Sequence, residues 1–180
     1  MNVALVGGSL RPESLNGRLL GHLARELKAR GHAATSLAGD ALAMPLYAQG
    51  LEVPAAAQAL QQSLLAAQGL VIVSPEYNAG IPGHLKNAVD WVSTLNPNPW
   101  PGLPVLLCAA SPGAFGGARG LLAWRATLAN LGALALPEAL TVPHADGQLD
   151  PEGAPSDPRT RAQVARVLDG FLALVQRLGR

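Results

Sequence analysis

The sequence holds few of the residues that disulfide, metal or nucleic-acid chemistry requires. It has a single cysteine, Cys108, among 180 residues, so no intramolecular disulfide can form, and we expect no thiolate-ligated metal or iron–sulfur site. Its four histidines show no ligand spacing such as His-x-x-x-His, so we expect no metal site. Charged residues make up 14% of the chain and the net charge is +1, so we expect no binding to nucleic acid or to membranes.

The sequence also lacks a long apolar run. No run approaches the roughly 18 residues that a membrane span requires, and the first residues do not combine a basic segment with an apolar stretch as a signal peptide does. We therefore expect a cytoplasmic protein. Aromatic residues make up only 4% of the chain against 49% apolar residues, so alanine, leucine and valine must form most of the core. The length suits one domain over residues 1–180.

The sequence contains a fivefold alternation of short apolar runs with stretches of helical periodicity. The apolar runs predict strands at 3–6, 33–37, 70–73, 105–109 and 133–136. The periodic stretches predict helices at 15–27, 57–64, 85–92, 121–131 and 164–178. This pattern predicts an α/β fold with helices on both faces of a parallel sheet, because crossover connections are right-handed. The economical solution is a flavodoxin-like, doubly wound, five-stranded sheet of order 2-1-3-4-5, in which the loops after strands 1, 3 and 4 converge on one crevice.

The loop after strand 1 has the composition of an anion site. It matches neither the Walker pattern nor the dinucleotide pattern Gly-x-Gly-x-x-Gly. It offers hydrogen-bond donors on Ser9, Ser14 and Asn16, a planar cation on Arg11, and a helix N-terminus with free N–H groups. This combination suits a terminal phosphate. The alternative is that Ser14 only caps the helix and that Arg11 is solvated.

The loops after strands 3 and 4 favour a flat ring. Pro75, Tyr77 and the glycine-rich segment 111–117 offer flat surfaces and close backbone approach, and N–H groups between Glu76 and Gly80 could meet ring carbonyls and nitrogens. The alternatives are ordinary edge packing for Tyr77 and a left-handed turn position for Asn78.

Three motifs in these loops resemble one known family. They are Gly8-Ser-Leu-Arg-x-x-Ser-x-Asn16, Pro75-Glu-Tyr-Asn78 with Pro82-Gly-x-Leu-Lys-Asn-Ala-x-Asp-Trp91, and the looser Ser111-x-Gly-x-x-Gly-Gly-x-Arg119. Together they are similar to the NADPH-dependent FMN reductases, a group of flavodoxin-like quinone, azo-dye and chromate reductases. The resemblance implies FMN, with its phosphate held by Ser9, Arg11, Ser14, Leu15 and Asn16 and its isoalloxazine ring against Pro75, Glu76, Tyr77 and Asn78, with Ser111 nearby.

The resemblance also implies an activity. NADPH or NADH would reduce the flavin by hydride transfer, and a small-molecule electron acceptor such as a quinone, an azo compound or chromate would then take two electrons in a ping-pong cycle. The flavin carries this chemistry, so no side chain is assigned as catalytic. Family members are commonly homodimers or homotetramers. A flavodoxin-type electron carrier and an FMN-binding redox sensor are the alternatives, and any role of His84, Asp90 or Arg119 beyond structure stays open.

Overall fold

Strands and helices alternate along the computed structural model, which describes residues 1–11 and 13–179. The strands are β1 (Asn2–Gly7), β2 (Ala33–Leu37), β3 (Gly69–Val73), β4 (Pro104–Ala110), β5 (Leu134–Ala135) and β6 (Leu140–Val142). The helices are α1 (Leu15–Ala29), α2 (Ala55–Leu65), α3 (Gly83–Ser93), α4 (Ala118–Asn130), α5 (Ala145–Gln148) and α6 (Pro158–Leu178), and a 3-10 turn covers Gly39–Leu42. Among these helices, none has the length and apolar character needed to cross a membrane.

The sheet has the predicted flavodoxin-like order, β2-β1-β3-β4-β5, and all its strand pairs are parallel. The register pairs Gly7 of β1 with Val73 of β3, and Val73 with Cys108 of β4. The carboxyl ends of these three strands therefore lie side by side. The loops that follow them leave the sheet at one edge, as the order predicts.

The last strand differs from its prediction. The sequence predicts one strand at 133–136, whereas two short strands, β5 and β6, pair with successive parts of β4. Pro137 lies between them, and proline has no N–H group to donate to a sheet ladder. Helix α6 begins before its apolar pattern does, because Asp157 accepts a hydrogen bond from the N–H of Thr160 and Pro158 occupies the first helical position.

Helices cover both faces of the sheet. Helices α1 and α6 pack on one face, where Leu23 and Phe171 are fully buried. Helices α2, α3 and α4 pack on the other face around residues such as Leu64 and Trp124. Every residue of the central strands β3 and β4 is buried, and in β1 only Asn2 is not, so the centre of the sheet is a rigid base for the loops at its edge.

Candidate functional site

A crevice of about 220 Å³ lies at the edge where β1, β3 and β4 end. Nine of the ten predicted site residues line it, and Asn78 does not. The lining residues are Ser9, Arg11, Ser14, Leu15, Asn16, Pro75, Glu76, Tyr77 and Ser111, together with Ala110 and Pro112. The sequence reasoning missed the last two, although their place at the end of β4, directly beside Ser111, could have indicated them. The structure thus brings three distant segments of the chain to one cavity.

The N-terminus of α1 forms one end of the crevice. The Ser14 hydroxyl oxygen accepts a hydrogen bond of 2.8 Å from the N–H of Gly17, and the Ser14 carbonyl accepts one of 2.9 Å from Arg18. The N–H groups of Leu15 and Asn16 have no partner within the helix, because the first turn of any helix leaves such groups free. Ser14 is therefore the N-cap, and its hydroxyl hydrogen can still be donated to a ligand.

The Asn16 side chain connects α1 to β4 instead of facing the helix end. Its amide nitrogen donates to the Ala110 carbonyl and its oxygen accepts from the Ala110 N–H, both at 2.9 Å. The residue is 5% exposed, so these bonds are shielded from water. The part of Asn16 at the helix end is its backbone N–H.

Arg11 brings positive charge to the same end. The N–H of Arg11 donates to the Ser9 hydroxyl at 3.3 Å, a short local turn that holds the loop. The Arg11 side chain is exposed, and no acidic side chain of residues 1–11 and 13–179 forms an ion pair with it. Its guanidinium group is therefore free to bind an anion.

Gly8 lets the β1 loop pack closely on the β3 loop. A Cβ atom at this position would lie 2.4 Å from Leu85 Cδ1 and 2.9 Å from Pro75 Cδ, so any side chain here would force these neighbours to move. The Gly8 N–H donates to the Val73 carbonyl at 2.9 Å. The ring of His84 also interacts with the Gly8 backbone. Burial lowers the pKa of His84, and the hydrogen bond to Gly8 opposes this only in part.

Asn78 lies at the tip of a tight turn. The N–H of Tyr77 donates to the Gly80 carbonyl at 3.2 Å and the N–H of Gly80 donates to the Tyr77 carbonyl at 2.9 Å. Between them, Asn78 and Ala79 have φ angles of 52° and 61°, the left-handed conformation of a type I′ turn. The left-handed turn alternative for Asn78 is therefore what the structure shows. Within the predicted set of N–H groups from Glu76 to Gly80, this turn uses those of Tyr77 and Gly80.

Glu76 forms the most extensive polar contact of the crevice, with the start of α4. Its Oε1 atom accepts from Arg119 Nη2 at 2.6 Å and from Nε at 2.8 Å, and its Oε2 atom accepts from the backbone N–H groups of Arg119 and Gly120 at 3.0 and 3.2 Å. The helix N-cap, Gly117, has no side chain to do this. Burial raises the pKa of the Glu76 carboxyl, but the Arg119 guanidinium and the two N–H groups lower it by more, so the net pKa lies below its ordinary value.

The other groups singled out in the sequence lie in structural contacts. Asp90 forms an ion pair of 2.5 Å with Lys86, one turn earlier on α3. The thiol of Cys108 is fully buried in β4, and burial raises its pKa, so it is not reactive. In the described part of the chain, no cluster of three or more histidine, cysteine or acidic side chains is arranged to hold a metal ion.

Comparison with known proteins identifies relatives of this chain. A family model described as NADPH-dependent FMN reductase matches residues 1–147. The 2-hydroxy-1,4-benzoquinone reductase of a Burkholderia species is 33% identical over an alignment of 189 residues, which covers 98% of this chain and 97% of that protein. The quinone reductase of Escherichia coli strain K12 is 40% identical over 125 residues, 66% of this chain, and the match spans 64% of the E. coli protein, less than two thirds of its length.

A solved structure is also similar to this chain over nearly its full length. The flavoenzyme NAD(P)H:(acceptor) oxidoreductase FerB from Paracoccus denitrificans superposes with a TM-score of 0.87 at 28% identity, and the match covers 98% of this chain and 97% of FerB. The similarity extends through α6, beyond the residues that the family model matches.

Proposed function

The chain belongs to the NADPH-dependent FMN reductase family, and on this premise we propose that it is an NAD(P)H-dependent FMN oxidoreductase that reduces quinones. The resemblance predicted from the three sequence motifs is thereby confirmed, and with it the enzyme class and the FMN cofactor of the family. The observation that best supports an activity for this chain is the crevice in which the loops after β1, β3 and β4 meet.

The β1 end of the crevice fits a phosphate group. This end offers several donors to phosphate oxygens, which are acceptors: the N–H groups of Leu15 and Asn16, the hydroxyl groups of Ser9 and Ser14, and the guanidinium of Arg11, which has no ion-pair partner in the described part of the chain. We propose that these groups bind the FMN phosphate. Charge-assisted hydrogen bonds contribute roughly 1.5–3 kcal/mol each, so a few of them suffice to hold a cofactor without a covalent bond.

The β3 end of the crevice fits a flat ring. One wall is formed by Pro75, Glu76 and Tyr77, Ser111 also lines the crevice, and Gly8 lets the loops after β1 and β3 pack closely. We propose that the isoalloxazine ring lies against this wall. Asn78 would contribute through its backbone N–H, which the tight turn leaves without a protein acceptor among the described residues.

When bound, FMN supplies the chemistry, because its ring accepts a hydride from NADPH or NADH and passes two electrons to an acceptor. The chain would orient the ring, and Tyr77, which is 49% exposed, would leave that part of the crevice accessible to a second substrate. Since one open crevice would serve both substrates in turn, we expect ping-pong kinetics. We assign no catalytic side chain.

The acceptor and the assembly belong to the same proposal. Relatives named quinone reductase and 2-hydroxy-1,4-benzoquinone reductase support a quinone as the small-molecule acceptor, with azo compounds and chromate as further candidates. Three large apolar side chains are exposed to solvent: Leu46 (82%), Leu51 (52%) and Phe115 (68%). Burial of such side chains between subunits would favour a homodimer or homotetramer. Residues 1–180 would act as one domain, because Phe171 of α6 belongs to the core on the sheet.

The test is to load the purified protein with FMN and to follow NADH and NADPH oxidation with a benzoquinone, an azo dye or chromate as acceptor. We expect saturable FMN binding and parallel lines in double-reciprocal plots when both substrates are varied. Absence of FMN binding would contradict the proposal. Tight FMN binding with no turnover for either nicotinamide and any acceptor would instead favour the electron carrier or the redox sensor.

A further inference from the structure

Helix α4 takes its cap from a distant loop. Its own N-cap, Gly117, has a φ of 88°, and a Cβ atom there would lie 2.7 Å from the Cβ of Ala109, so no capping side chain fits. The Glu76 carboxylate supplies the missing acceptor to the N–H groups of Arg119 and Gly120. The cap thus joins the loop after β3 to the loop after β4, and both loops line the crevice.

The two loops are packed as well as bonded at this point. A Cβ atom on Gly120 would lie 3.2 Å from the Cα and Cβ atoms of Glu76 and 3.2 Å from the Gly80 carbonyl oxygen. Because Glu76 itself lines the crevice and its Cα and Cβ atoms pack against Gly120, a displacement of the start of α4 would change this wall. The position of that wall therefore depends on the start of α4.

The contact between Glu76 and Arg119 also determines the net charge of the crevice wall. The Glu76 side chain is only 10% exposed and lines the crevice, so water screens its negative charge poorly. Arg119 is the one cationic side chain of the described residues that forms an ion pair with it, and the Arg119 side chain is itself 61% exposed and lies 5.6 Å over the ring of Phe115. Without Arg119, the carboxylate would keep only the two N–H groups as partners.

We propose that Arg119 is a positioning residue that acts through Glu76: it fixes the crevice wall and cancels the carboxylate charge beside the flavin, so that bound FMN is easier to reduce. The inference rests on the proposed function, in which FMN occupies the crevice. A hydride brings two electrons and one proton to FMN while NAD(P)H is oxidised to NAD(P)⁺, so the reduced flavin carries an additional negative charge. An uncancelled carboxylate nearby would repel that charge.

Substitution of one or the other member of the Glu76–Arg119 pair should therefore shift the two-electron potential of the flavin in opposite directions. Arg119→Ala leaves the carboxylate uncancelled, and we expect a roughly tenfold loss in the preference for reduced over oxidised FMN, which is a two-electron potential about 30 mV more negative. Glu76→Gln removes the charge while its amide oxygen can still accept from the two N–H groups, and we expect a potential that is more positive than that of the wild type. The double variant should return towards the wild-type value.

A matched control separates this effect from the loss of any surface ion pair. Arg166 pairs with Glu138 at 2.6 Å and its side chain is 62% exposed, close to the 61% of Arg119. Arg166→Ala should leave the flavin potential unchanged. Amide hydrogen exchange without FMN adds a second readout: Arg119→Ala should speed exchange at Tyr77 and Gly80, whereas Arg166→Ala should not.

The outcomes distinguish the inference from the function on which it rests. If the wild-type protein binds no FMN, the proposed function fails and the inference fails with it. If FMN binds but both single variants shift the potential in the same direction, or by no more than Arg166→Ala does, the inference alone is overturned. Opposite shifts that cancel in the double variant, with faster exchange in Arg119→Ala, would establish it.

Discussion

The two ends of the crevice are built in different ways. At the β1 end, the hydroxyl groups are held by local contacts: Ser14 bonds to Gly17 three residues away, and Ser9 bonds to Arg11 two residues away. The β3 end depends on contacts between distant segments, since Glu76 meets Arg119 across 43 residues. We infer that the first end can lose one donor without changing its shape, whereas the second end needs its partners to keep its shape. The predictions below test this difference.

The largest effect should come from Asn16→Ala, which breaks the connection between α1, at the β1 end, and strand β4. The Asn16 side chain exchanges two hydrogen bonds with Ala110, 94 residues away, inside the protein. Each buried group left without a partner costs about 1–3 kcal/mol, so we expect a loss of roughly 3 kcal/mol in the free energy of unfolding. Chemical denaturation measures this directly. Asn130→Ala, on an exposed end of α4, is the control and should change stability little.

A smaller and purely local effect is expected from Arg11→Ala. The guanidinium is exposed and forms no ion pair among the described residues, so its removal should leave the unfolding free energy unchanged. FMN affinity should fall tenfold or more, about 1.4 kcal/mol, because a phosphate contact is lost. Fluorescence titration measures it, with Arg177→Ala in the last turn of α6 as control. An unchanged affinity would show that the phosphate binds elsewhere.

The Glu76 contact at the β3 end should weaken in acid. Its folded pKa lies below the ordinary value, so its contribution to stability is complete at neutral pH and is lost as the pH falls through the folded pKa. We expect the stability difference between the wild type and Glu76→Gln to shrink below about pH 4, where carboxylates of this type titrate. Urea denaturation at a series of pH values measures it. A difference that is independent of pH would mean that the carboxylate charge contributes nothing.

The smallest effect should come from Asp90→Asn, which lies outside both ends. The ion pair with Lys86 is on the surface of α3, with side chains 38% and 45% exposed. Such pairs contribute about 0.3–0.5 kcal/mol. We expect a loss of that size in stability and no change in FMN affinity. A large fall in FMN affinity would give Asp90 a role that the structure does not.

The sequence predicted those parts of the site that local patterns encode. The N-cap at Ser14 and the free N–H groups of α1 follow from residue types within one helical turn, and the strand order follows from the alternation of strands and helices. The contact of Glu76 with Arg119 could not be predicted, because it depends on how two loops meet after the chain has folded. The direction of the Asn16 side chain towards β4 has the same origin.

The split of the last strand shows the same limit in the fold. Pro137 indicates an interruption, but the apolar residues at 133–136 predict a strand. Only the folded sheet shows that β6 pairs with the C-terminal part of β4. The Asn78 turn was one of two alternatives in the sequence. The structure shows the turn, which backbone hydrogen bonds between Tyr77 and Gly80 hold, and the role of Asn78 in binding stays a prediction.

The most direct measurement compares the affinity of the protein for FMN and for riboflavin, which has the same ring without the phosphate. If the α1 end binds the phosphate and the β3 wall binds the ring, the wild type should bind FMN at least tenfold more tightly, and Arg11→Ala should lose most of this difference. Equal affinities for FMN and riboflavin in the wild type, or no binding of either, would contradict the central claim.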